Sequence, residues 1–118
     1  MTTPEFRLHP DPDTLAPVDM VAAEFFTTDN HTELNALKFQ TEDEKVLCGV
    51  WECAPTREVI DAYPVHEMMT VISGVLVLTH PDGRTETFTA GDTFFIAKGS
   101  QLVWEITETL RKYYLIVE

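Results

Sequence analysis

The sequence predicts an all-β fold, a single barrel or sandwich domain, on three observations. From residue 20 onward the apolar runs are short and are broken repeatedly by Gly, Pro and Asp. Those runs are rich in β-branched and aromatic side chains, which suit a pleated, half-buried surface. No segment keeps a helical period long enough for a stable helix. A chain of 118 residues that is 44% hydrophobic can bury one sizeable core, and two domains would each be too small.

Residues 1–19 hold four prolines (Pro4, Pro10, Pro12 and Pro17) and do not alternate, so they read as an extended N-terminal arm. The barrel domain is then 20–118. Its strands are expected at MVAAEFF, LNALKFQ, KVLCGVWECA, TREVIDA, VHEMMTVI, VLVLTH, RTETFTA, TFFIA, SQLVWEIT and KYYLIVE. His80-Pro81-Asp82-Gly83-Arg84 places a DG pair between two runs, a hairpin signal, while Gly74, Gly91 and Gly99 mark other junctions. The best helical candidate, residues 29–36, would manage about two turns.

Twenty acidic against eight basic side chains give a formal net charge of −12. Such a chain repels nucleic acid phosphates and anionic lipid, so neither is an expected partner. No apolar run approaches the ~20 residues of a spanning helix, and MTTPEFRLHPDPD lacks the basic start and apolar stretch of a signal peptide, so a cytoplasmic location is expected. Cys48 and Cys53 would lie on opposite faces of one strand roughly 17 Å apart, and are expected as reduced thiols.

Strand parity places Asp61, Tyr63, Val65, Glu67, Met69 and Val71 on one face and His66 and Met68 on the other. Leu102 and Trp104 share a parity, as do Trp51 and Cys53. An inward Glu67 among Met69, Val71, Leu102 and Trp104 needs a partner, which an interior Lys or Arg or Tyr63 could supply. It could equally act as a general acid or base, or anchor an ammonium or ureido nitrogen.

Trp51 and Trp104 are either core residues or the flat walls of a pocket. Cys53 is either a small core residue or an interior thiol, with no histidine placed to activate it. Lys98 either solvates a loop or reaches a barrel mouth.

Residues 49–114 run GVWE, then Glu67-Met-Met-Thr-Val-Ile-Ser-Gly74, the DG turn, AGDTFFIAKG and WEITETLRKYY. This resembles the cupin superfamily, and within it the small single-domain DUF861 group related to the ureidoglycine aminohydrolase cupin domain. Glu67 with Gly74 matches the end of the first cupin motif, and Gly91, Asp92, Lys98 and Gly99 match the second, with Ala97 where proline is usual. The resemblance implies a cupin-type double-stranded β-helix, or jelly-roll barrel. It also implies a homodimer, for which residues 20–26 are the expected edge strand. Trp104, Glu108, Arg111 and Lys112 match the charged WxxxExxRK signature that closes the domain, and with Glu105 they are expected to form an ion-pair cluster fixing the last strand.

In metal-holding cupins four positions ligate, and the resemblance puts them here at Asp61, Tyr63, Glu67 and Leu102. Leu102 cannot ligate and a neutral tyrosine is weak, so no metal set is assigned. A divalent metal (Mn, Fe, Ni or Zn) stays as a secondary alternative, with Asp61, Glu67 and waters suiting manganese or a similar hard ion better than zinc.

The function expected is binding of a small ureido or amino metabolite. Glu67 and Tyr63 are the candidate catalytic pair, and Trp51, Cys53, Asp61, Met69, Lys98, Leu102 and Trp104 the candidate ligand contacts. The alternatives are a non-catalytic sensing or accessory protein and a divergent metal-dependent hydrolase acting on a C–N bond.

Overall fold

Alternation becomes pairing in the computed structural model, which describes residues 6–118. Its elements are β1 (Ala16–Pro17), a 3-10 turn (Ala23–Phe25), β2 (Glu33–Gln40), β3 (Val46–Cys53), β4 (Thr56–Ile60), β5 (His66–Thr79), β6 (Thr85–Phe88), β7 (Thr93–Ile96) and β8 (Leu102–Val117). All are paired antiparallel in the order β1-β2-β3-β8-β5-β6, with β4 beside β8 and β7 beside β5. The all-β class predicted from the pattern is the one observed.

β5 and β8 organise the molecule, lying side by side from His66 opposite Val117 to Thr79 opposite Val103. The start of β5 and the end of β8 join β3 and β7, while their other halves join β6 and β4. Two sheets thus share two strands and enclose one core around Met69, Val71, Leu76, Ile106 and Leu110.

The sequence pattern suggested two strands on either side of Gly74, and two more for SQLVWEIT and KYYLIVE. Each pair is instead one long strand. Gly74, at φ 91°, sits within register shifts between Val71 and Leu76. These shifts change the inward side from odd to even positions, as a bulge does. A Cβ at Gly74 would strike the carbonyl of Thr109, so glycine is required for the two strands to stay paired through the bend.

Two other expectations are corrected. Residues 20–26 form no edge strand: they hold the 3-10 turn and a single bridge from Phe26 to Thr56, because the Val21 N–H is taken by the Glu33 carboxylate rather than by a neighbouring strand. The two-turn helix at 29–36 is absent. Asn30 accepts from the Thr32 N–H at 3.0 Å, a turn that delivers residues 33 onward to β3 as β2. Pairing along eight residues outweighs a helix too short to be stable alone.

The DG turn forms the β5–β6 hairpin as predicted, closed by His80 N–H to the Arg84 carbonyl at 2.8 Å with Gly83 at φ 87°. The described part of the arm, from residue 6 onward, runs along the outside of the sheet, and residues 1–5 of the expected arm lie outside the described residues. Val18 N–H donates to the Glu33 carbonyl at 2.9 Å, and Arg111 reaches out to the Pro10 carbonyl at 2.9 Å.

Candidate functional site

Three inward side chains from three segments meet inside the barrel. Tyr63 follows β4 and is clamped by its backbone, its N–H donating to Ser100 and its carbonyl accepting from Gly99, each at 2.8 Å. Its hydroxyl donates to Glu67 Oε1 at 2.8 Å, and Lys112 Nζ donates to Glu67 Oε2 at 2.7 Å. Glu67 and Lys112 are 5% and 6% exposed, so this ion pair is desolvated and each member depends on the other.

Lys112 is caged as well as paired. Its Nζ stands 4.8 Å from the Trp51 ring centroid and 4.9 Å from that of Trp104, and lies 3.0 Å from Met69 Sδ. Both aromatic faces are within cation–π range. An ammonium has three donors, and the side-chain contacts to Glu67 and Met69 use two.

A second buried carboxylate sits beside this cage. Glu33 Oε1 accepts from the Val21 N–H at 2.9 Å and Oε2 from Trp51 Nε1 at 2.8 Å, which fixes the plane of the indole. Tyr114 donates to Asn35 Oδ1 at 2.8 Å. It lies across Gly49, where a Cβ would collide with the tyrosine hydroxyl and the Ala36 carbonyl.

These groups line an open cavity of about 860 Å³, within the usual size of small-molecule sites. Glu33, Glu58, Asp61, Glu67 and Glu118 line it against the single base Lys112. Burial raises the Tyr63 hydroxyl well above its ordinary value, and the neighbouring Glu67 charge adds to this, so Tyr63 stays a donor. Burial likewise pushes the Cys53 thiol up to about 12, with the Glu33 charge adding to it, so the thiol is not a nucleophile at neutral pH. Glu58 is raised by burial alone.

Of the residues singled out in the sequence, Trp51, Asp61, Tyr63, Glu67 and Trp104 line the cavity, Asp61 at the exposed rim. Met69 reaches the cage through its sulfur, whereas Cys53 and Leu102 are buried in the core behind it. Lys98 is exposed in the turn after β7, and its N–H donates to His66 Nδ1 at 3.0 Å on the outer side.

The expected single ion-pair cluster at the end of the chain is split by parity. Arg111 faces out to Glu52 at 2.9 Å and Asp11 at 3.0 Å, Lys112 faces in, and Glu108 is exposed. Lys112 was legible as inward because it shares parity with Leu102 and Trp104. Glu33 was hidden in the segment read as a helix.

The cupin metal positions do not fit a metal ion here. Both Glu67 oxygens are engaged, one by an ammonium that would oppose a second cation, Leu102 offers no donor and Asp61 is at the rim. Among the described residues no three His, Cys, Asp or Glu side chains are grouped to hold an ion.

Comparison with family models matches residues 40–114 to the EutQ-like cupin domain. Among solved structures, a DUF861 protein of unknown function from Pseudomonas syringae pv. tomato aligns with a TM-score of 0.82 at 25% identity, covering 93% of this chain and 46% of that one. This chain thus spans about half the length of that protein. The EutQ protein of Clostridium difficile aligns at 0.60 and 25% identity, covering 85% of this chain and 80% of that one. A DUF861 protein from Thermotoga maritima, at 0.52 and 23% identity over 68% of this chain and 96% of that one, shares the fold. No curated protein matches.

Proposed function

The chain belongs to the EutQ-like cupin domain family, and on that premise we propose that it binds a small amino- or ureido-bearing metabolite between Trp51 and Trp104. The observation that carries this reading is the 860 Å³ cavity with a buried Tyr63–Glu67–Lys112 group in its wall. An ion pair costs desolvation energy that apolar packing would not, so its presence beside open space favours a recognition role over plain core filling.

Lys112 has a donor to offer a ligand oxygen, and Glu67 retains lone pairs for a ligand N–H. Five carboxylates against one lysine disfavour an anionic ligand. The free thiols Cys48 and Cys53 go with a reducing, cytoplasmic setting.

Thermal shift with panels of amines, ureas and carboxylates of matched carbon skeleton tests the reading. An amine or urea is expected to raise Tm, by about 2.7 kcal/mol of stabilisation at a hundredfold excess over Kd, with the effect reduced in Tyr63→Phe. Failure of every compound at millimolar concentration would refute it.

The non-catalytic sensing or accessory role is favoured over bond cleavage, since Tyr63, Glu67 and Lys112 satisfy one another and Tyr63 holds its proton. Turnover of a bound amine or urea, with or without added divalent metal, would reverse that order.

A further inference from the structure

The open end of the cavity is apolar in a chain that is otherwise strongly charged. Among the described residues eight large apolar side chains are exposed, and three of them, Met20 at 66%, Leu37 at 48% and Val59 at 61%, line this one cavity from three separate segments. In a sequence that is 24% charged, exposed apolar groups brought together at one opening mark a contact with something apolar.

The strand register joins that opening to the buried pair. Leu37 is opposite Gly49, Gly49 opposite Tyr114 and Tyr114 opposite Met69, so one inward row crosses four strands from the rim to the Lys112 cage. Gly49 adds no side chain to this row, and the Tyr114 ring lies over it with its hydroxyl already given to Asn35. In the next row Leu47 is opposite Ile116 and Ile116 opposite Glu67. The floor from the rim to the Glu67 carboxylate is therefore Leu37, Leu47, Tyr114 and Ile116, with no charged side chain among them.

We propose that the ligand is a medium-chain N-alkyl urea, its head held by Glu67 and Lys112 and its chain laid over Leu47, Tyr114 and Ile116 toward Leu37 and Val59. This rests on the reading of the buried pair as the site of a small polar head. A urea answers both members, its carbonyl accepting from Lys112 and its N–H donating to Glu67, whereas an ammonium would oppose Lys112. The chain covers apolar groups that a head alone leaves in water. Glu58, Asp61 and Glu118 line the same cavity and turn away a chain with an anionic far end, so that end is neutral.

The fold also sets the length. From β5, which carries Glu67, to β2, which carries Leu37, are three strand spacings, or about 14 Å. An extended alkyl chain advances about 1.25 Å per carbon, from bonds of ~1.5 Å at near-tetrahedral angles. Allowing about 3 Å for the hydrogen bond to the head and a little more for the head itself, about seven or eight carbons reach the rim.

Isothermal titration with n-alkylureas from methyl to decyl is the test. Kd is expected to fall with each added methylene, by up to about fourfold where the methylene is fully buried, and to level off near octyl. Leu37→Thr/Val59→Thr makes two rim side chains more polar while keeping β propensity. It is expected to flatten the decline between butyl and octyl and to leave the Kd of methylurea unchanged. Met68→Thr, at an exposed apolar residue on the outer face, is expected to leave the whole series unchanged.

Short ureas that bind with no gain from a longer chain, or a gain that survives the double substitution, overturn the alkyl ligand and leave the head reading standing. n-Alkanols of the same lengths separate the other failure. Alkanols that bind as tightly as the ureas overturn the urea head while the apolar floor stands, and no binding by either series overturns both.

Discussion

Arg111 and Lys112 are chain neighbours on β8, yet they are dissolved in different media. Arg111 points outward, pairs with Glu52 and Asp11 near water and ties the arm down through the Pro10 carbonyl. Lys112 points inward, is held between two tryptophans and answers one buried carboxylate. A single step along a strand turns a cation that fastens the surface into one that defines the site, because consecutive side chains face opposite sides of the sheet.

The comparison breaks most easily at Lys112. Lys112→Ala strands Glu67 as an uncompensated buried charge, and urea denaturation should show a loss of about 3–5 kcal/mol. Glu67→Leu/Lys112→Leu, which removes both charges, should recover most of that stability while abolishing ligand-induced shifts in Tm. A loss below about 1 kcal/mol for the single variant would mean that the pair is not sealed from water.

A smaller effect is expected outside. Arg111→Ala should cost about 1 kcal/mol, since its partners are near solvent and screened. The arm should then become the first site of limited proteolysis, with the cavity still able to bind. An equal loss at Arg111 and Lys112 would erase the distinction.

The smallest effect sharpens the view of the cavity mouth. Burial raises the Glu58 carboxyl above its ordinary 4.5, so the folded state holds this proton more tightly than the unfolded chain does. That contribution to stability is complete below about pH 4.5 and is lost as pH rises through the raised folded value. Glu58→Gln should therefore match wild type at pH 4 and exceed its Tm slightly at pH 7. A gap of the same size at both pH values would show that the carboxyl is not desolvated.

Much of this was legible residue by residue. Parity correctly turned Glu67 inward and His66 outward, and the pair Trp51 and Trp104 was recognisable as candidate cavity walls. Lys112 could have been added by the same counting from Trp104, but its place in a charged run drew it into a surface cluster. Glu33 was less accessible, because residues 29–36 have enough local polarity to imitate a helix start and only pairing with β3 makes them a strand.

By itself the sequence determined the strand period, the side on which residues lie within an unbroken run, the DG hairpin and an acidic composition, all of which are local or summed properties. Tertiary structure decided that β5 and β8 run unbroken past Gly74, and that Lys112, forty-five residues away, is the partner of Glu67. Period tells which way a side chain points, whereas its neighbour depends on the register between distant strands, and that is settled only when the whole core packs at once.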